Sequence, residues 1–208
     1  MSSSVCCLSA RPSLALTQAA PGDCFFGGAY WWAYFAAWLI RLGTGGPTSH
    51  VEMVLRRTSK GDAELWSARK DGVHPKALST FLGEYHHTGR VWWVRLSYEA
   101  RRRMDLPAML DFAESIRGKD YDLAGALGSA AAWENSRTDK SYFCSKVVAA
   151  LFQAGRILTP GLIPDEVHPY DMAKVRLWDP TYFQVLGLRQ EIPAFNTVPV
   201  SLFAESVL

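Results

Sequence analysis

The sequence lacks an excess of charge of either sign. Its 22 Lys and Arg stand against 20 Asp and Glu, a formal net charge of +2 at pH 7. Nucleic-acid binders need a basic stripe that offsets phosphate charge, and Arg101-Arg102-Arg103 is too short to be one. That triplet reads as a solvated helix face, and no nucleic-acid partner is expected. Cysteine is scarce as well: Cys6, Cys7, Cys24 and Cys144. None makes a C-x-x-C pair or a zinc-like spacing with histidine, and adjacent Cys6 and Cys7 are poorly placed to bridge each other. This excludes a disulfide scaffold and points to a reducing compartment, cytoplasmic by default, with a secreted or virion-associated setting as the alternative. Cys24 reads as a small buried hydrophobe. His74, His86-His87 and His168 are scattered, so no metal and no cofactor are expected. Residues 1–20 have neither the charged start nor the clean apolar stretch of a secretory leader. The uncharged run over 24–40, CFFGGAYWWAYFAAWLI, lies at the lower edge of a membrane span and is diluted by Gly, Tyr and Trp. It reads as a buried or interface-facing helix whose Trp and Tyr residues would suit peripheral membrane contact. Neither an internal repeat nor a low-complexity segment is present.

What is present suits an ordinary globular chain. Its 208 residues fit one domain with appendages, 49% of them are apolar, and eight are tryptophan. Residues 1–20 are expected to be a flexible arm. Pro21-Gly22-Asp23 is a turn leading to a short strand at 24–26. The helix over 29–42 stops at Gly43-Thr44-Gly45-Gly46-Pro47, a strong breaker cluster. Strands are expected over 50–56, 63–68, 72–75 and 91–96. A long amphipathic helix spans 98–117, with Met104, Leu110, Phe112 and Ile116 toward the core and Pro107 kinking or starting it. A shorter helix over 122–131 and a polar loop over 134–140 follow. A helix over 144–155 closes at Gly155. A small helix near 169–174 and short strands complete the chain. Clustered strands flanked by helices predict an α+β domain, an antiparallel sheet packed against helices.

The chemistry is concentrated in two segments. In Ser141-Tyr142-Phe143-Cys144-Ser145-Lys146-Val147-Val148 a cysteine opens an apolar-periodic helix. The unpaired N–H groups of a helix start favour a thiolate, which is the nucleophilic form of sulfur. A buried structural thiol is the competing reading. In Thr48-Ser49-His50-Val51-Glu52 a histidine begins a strand, and alternation puts His50, Glu52 and Val54 on one face. An imidazole usually needs a third group to fix its ring and tautomer. Glu52, Glu64 and Ser67 are the candidates. Glu64 and Ser67 are an odd number of residues apart, so only one of them can face the site.

These segments resemble circularly permuted NlpC-type papain-like hydrolases, the group that includes YiiX-like proteins and the lecithin:retinol acyltransferase relatives. Pro21-Gly22-Asp23 with Cys24-Phe25-Phe26 is similar to the family's opening Gly-Asp strand. Arg41 through Val51 is similar to its R-x-x-T-x-x-x-x-S-H-V segment. Leu65-Trp66-Ser67-Ala68 and Gly72-Val73 resemble the next hairpin. Gly118-Lys119-Asp120-Tyr121-Asp122-Leu123-Ala124-Gly125 resembles G-x-x-Y-D-x-x-G, and Phe143-Cys144-Ser145-Lys146-Val147-Val148 resembles F-C-S-E-x-V. The resemblance spans residues 21–175 and leaves 176–208 as an extension packed on the domain. It implies a permuted papain-like fold with Cys144 as nucleophile and His50 as base. Permutation explains why the histidine precedes the cysteine. Ser67 stands where many members carry Glu, and Lys146 where Glu is frequent, so Glu52 is the first choice for the orienting group and Ser67 the second. Tyr142, Trp66 and Tyr121 are the candidate substrate-binding residues. The implied activity is a cysteine hydrolase of peptide or peptidoglycan stem amides. The alternatives are a thiol acyltransferase or lipid esterase at a membrane surface, and an inactive binding module of a viral or secreted assembly.

Overall fold

Strands buried on both faces read as apolar runs rather than as simple alternation, and the middle of this chain is built from such runs. The computed structural model describes residues 6–29, 42, 44–122 and 141–206, with side chains through 203. The helices expected over 29–42 and 122–131, the Trp31-Trp32 face and the loop 134–140 fall outside these residues except at their ends. The elements are β1 (Cys6–Ser9), α1 (Pro12–Gln18), β2 (Cys24–Ala29), β3 (His50–Arg57), β4 (Ala63–Arg69), β5 (Gly72–Ala77), α2 (Leu78–Tyr85) and β6 (Gly89–Val94). They continue with α3 (Tyr98–Arg103), α4 (Leu106–Ser115), β7 (Asp120–Tyr121), β8 (Ser141–Tyr142), α5 (Cys144–Ala154), a 3₁₀ turn (Pro164–Glu166), α6 (Pro169–Lys174), β9 (Thr181–Leu186) and α7 (Val200–Ser206). Seven strands form one sheet in the order β1-β9-β6-β2-β3-β4-β5. All of its pairs are antiparallel except β1 with β9. The protein is thus a mixed α+β chain with a mostly antiparallel sheet packed against helices.

Both faces of the sheet are covered. On one, Val51, Met53, Leu55, Trp66 and Ala68 meet Val147, Val148, Leu151 and Phe152 of α5. Those four helix residues recur at the spacing that makes one apolar stripe. On the other face, Phe25, Val54, Leu65 and Trp93 pack with Phe81 and Leu82 of α2 and Ala15 of α1.

Three expectations are corrected by this arrangement. Residues 6–18 are not a loose arm: β1 pairs along β9 and α1 caps the second core. Residues 176–208 are not an added layer, because β9 lies inside the sheet between β1 and β6. The helix expected over 98–117 is two helices. Asp105 caps the second, its carboxylate accepting from Ala108 N–H at 3.1 Å, and Pro107 sits in that first turn, where its missing donor costs nothing. Helix α2 escaped notice because neither a side-chain cap nor an acidic first turn announces it. Gly155 ends α5 with φ near −76°, and Arg156 takes the left-handed conformation instead. A side chain at Gly155 would run into Met109 of α4.

The turn Pro21-Gly22-Asp23 is organised by one buried carboxylate. Asp23 accepts from Ala20 N–H, Trp93 Nε1 and Leu96 N–H, each at 3.0 Å, and from Arg101. Removing it leaves several buried donors unpaired. Asp23→Ala is expected to lower unfolding free energy by about 3–5 kcal/mol, read as a shift in the urea midpoint. A loss below about 1 kcal/mol would show that water replaces the carboxylate.

Candidate active site

The strand pair that carries the site separates where the site begins. The β3–β4 ladder runs only as far as Met53 opposite Trp66. Beyond that point Ser67 Oγ donates to the Val51 carbonyl at 2.8 Å, and the Val51 N–H turns to the sulfur of Cys144. The sulfur stands at the start of α5. No side chain caps this helix, and its first internal bond is Val147 N–H to Phe143 C=O at 3.1 Å. The first-turn amides therefore face outward, and Ser145 N–H also donates to the sulfur. Strand β8 delivers Phe143 and Cys144, and β7, paired parallel to it, brings Tyr121 alongside.

His50 begins β3 and hydrogen-bonds the Cys144 sulfur. Its Nε2 lies 2.9 Å from Glu52 Oε1, which leaves Nδ1 as the ring nitrogen for the thiol. Phe81 stacks near the imidazole, with centroids 6.4 Å apart. Glu52 is fully buried and is held from its other side by Arg69. Arg69 Nε donates to Oε1 at 2.8 Å, Nη2 donates to Oε2, and Nη1 donates to the His74 carbonyl at 2.9 Å. Gly72, at φ 99°, closes the tight turn from β4 to β5 that keeps Arg69 and His74 together.

Burial and close neighbours shift the titration of His50, Cys144, Glu52 and Tyr121. Burial alone would push His50 down, but the charge and hydrogen bond of Cys144, helped by Glu52, hold it up at about 9. Burial would push the Cys144 thiol up, and the His50 cation outweighs it together with the Val51 and Ser145 amides, so the thiol lies below its ordinary value. Burial opposes Glu52 too, yet the bonds to His50 and Arg69 bring it down to about 2. Burial, then the Cys144 and Asp122 charges, push the Tyr121 phenol up, so it stays protonated beside the sulfur. Together these directions describe a thiolate–imidazolium pair. The linked stability has two signs. Glu52 contributes stability above its ordinary 4.5 that is lost as pH falls toward about 2. His50 contributes fully below 6.5 and loses its share as pH rises through about 9.

Cys144, His50, Glu52 and Tyr121 therefore come together. Ser67 is nearby but spends its hydroxyl on the Val51 backbone. Glu64 faces away, bonded to Trp66 Nε1 at 2.9 Å and to Arg56 at 2.7 Å. Trp66, expected to touch substrate, is fully enclosed in the core because even strand positions of β4 point into it. Tyr142 lines a separate cavity of about 320 Å³ with Phe112, Lys146, Ala150, Leu162 and Asp165 on the far side of α5. Lys146 there forms a buried pair with Asp165 at 2.6 Å. Arg69 was missed because the strand was expected to end at 68. Its signal was the period of two from Ser67, which places Arg69 on the Glu52 side.

His86 and His87 sit at the surface, and among the described residues no group of three His, Cys, Asp or Glu side chains is placed to hold a metal ion. No helix among them is long and apolar enough to cross a membrane. No family model matches the sequence, and no curated protein matches it.

The four thiols should differ in reactivity. Burial raises Cys24 strongly and Cys7 to a lesser degree. Iodoacetamide labelling followed residue by residue in mass spectra is expected to modify Cys144 with a pH midpoint below 9.0, while Cys24 stays unmodified. His50→Ala is expected to move the Cys144 midpoint upward. A Cys144 profile indistinguishable from that of Cys24 removes the ion pair.

Proposed function

We propose that the protein is a cysteine hydrolase of amide bonds built on a circularly permuted NlpC-type papain-like domain. The observation that carries this reading is the Cys144–His50–Glu52 chain at an uncapped helix start. Sulfur nucleophiles need a thiolate, a proton carrier and donors for the developing oxyanion, and these residues supply all three. The Cys144 thiolate attacks the carbonyl carbon, and the oxygen takes the negative charge. In this reading the first-turn amides of α5 and the protonated Tyr121 phenol, which lies beside the sulfur, would donate to it. As the C–N bond breaks, the His50 imidazolium gives its proton to the leaving amine. Neutral His50 then takes a proton from water, whose oxygen attacks the thioester. The carboxylic acid leaves, and the thiolate and imidazolium are restored. Glu52 keeps the ring oriented and offsets its charge throughout.

Peptide and peptidoglycan stem amides are the leading substrates, since amine departure needs the proton that His50 holds. Ester or acyl-transfer chemistry uses the same acyl-enzyme with a different acceptor. A panel of fluorogenic peptides, muropeptides and lipid esters separates these by which one is turned over.

On the substrate that is cleaved, Cys144→Ala and His50→Ala are expected to lower kcat/KM by at least about 10³-fold, with unchanged circular dichroism. The pH profile should rise through the lowered thiol value and fall as His50 loses its proton near 9. A folded protein inert toward the whole panel, and toward thiol probes across that range, would instead mark a binding module.

A further inference from the structure

We propose that Arg69 is a positioning residue of this site: its two-pronged grip on Glu52 neutralises and aims that carboxylate, and so lets the buried Cys144–His50 ion pair form. The role rests on the reading of Cys144 and His50 as nucleophile and base.

The geometry carries the argument. Glu52 is 1% exposed and Arg69 9%, so water screens neither. Both carboxylate oxygens are engaged by Arg69, and Oε1 is shared with His50 Nε2. The third arm of the guanidinium is anchored on the His74 carbonyl of β5. A planar fork held at three points fixes the carboxylate plane, which a lysine could not do. It also sets the charge count. With Arg69 present, thiolate, imidazolium, carboxylate and guanidinium sum to zero. Without it the same arrangement holds one net negative charge away from water, a costly state that proton uptake at sulfur relieves. Among the described residues, the other titratable groups facing this cluster are Tyr121 with Asp122 from β7 and its end, and His74 on β5, whose ring is turned to Asp71 at 3.4 Å. Ser67 and Phe81 are the uncharged neighbours on β4 and α2.

The test is the pH midpoint of Cys144 alkylation by iodoacetamide in the full-length chain. Arg69→Met is expected to raise it by about one pH unit or more, which reads as roughly tenfold slower labelling on the acid limb. Arg69→Gln keeps a donor toward Glu52 without charge and should show the same rise. Arg69→Lys restores the charge without the three-point hold and should recover only part of it. The rise should shrink when Glu52→Gln is combined with Arg69→Met, because the two residues act as a unit. A wild-type midpoint in a folded Arg69→Met or Arg69→Gln protein overturns the proposal, as does a full rise in both Glu52 backgrounds. Should neither single variant fold, folding of the double variant upholds the pairing and its failure to fold overturns it. A wild-type Cys144 midpoint at the ordinary thiol value is a different result: it overturns the nucleophile reading itself, before any Arg69 variant is made.

Discussion

The mutual attraction of one sulfur and one imidazole, both withdrawn from water, is the interaction on which the rest of the site depends. Burial acts against each charge taken alone. His50 would lose its proton and Cys144 would keep its own. Their proximity, helped by Glu52 at the ring and by the Val51 and Ser145 amides at the sulfur, reverses both preferences, and proximity alone is fragile, because a ring that rotates loses its bond to sulfur. Glu52 stops that rotation through Nε2. The uncapped start of α5 adds the Ser145 amide on the sulfur side, and β3 adds the Val51 amide. Each partner would be unstable without the others, which is the behaviour of a coupled group rather than of separate contacts.

The scaffold serves this cluster by interrupting its own regularity. A continuous β3–β4 ladder would consume the Val51 amide and carbonyl. The ladder instead ends at Met53 opposite Trp66, a hydroxyl from Ser67 satisfies the carbonyl, and the amide is released to the sulfur. The two cores on either side of the sheet hold the parted strands in place. Local departure from ideal pairing at a reactive centre, supported by well-packed surroundings, is a common way for a fold to host chemistry.

The residues show how far one-dimensional reading reaches. Cys144 and His50 were visible because each sits at an element boundary with a plain local signature: an apolar-periodic helix behind the cysteine and a β-branched strand behind the histidine. Strand alternation also placed Glu52 beside His50. The choice between Glu52 and Ser67 needed the third dimension, since both face the same region and differ in what they bond. Arg69 was hidden by an end-of-strand estimate one residue short. Trp66 was misplaced because an aromatic in a short family-like segment says nothing of which sheet face it takes. The edge strand β1 was invisible, and β9, expected only as one of the short strands after residue 174, could not be placed inside the sheet, for a more general reason. A four-residue strand paired with a segment at the other end of the chain leaves no local periodicity to detect.

That last pairing shapes how the molecule comes into being. β1 is made before β9 and finds its partner only when β9 arrives. Until then one side of β6 is an open edge, with Trp92 and Trp93 in its sequence. Such an unpaired margin invites contact with other chains. Nascent chains of this protein therefore pass through a stage in which α5 can already dock while the sheet remains unfinished, and that stage is where shielding by a chaperone would matter most.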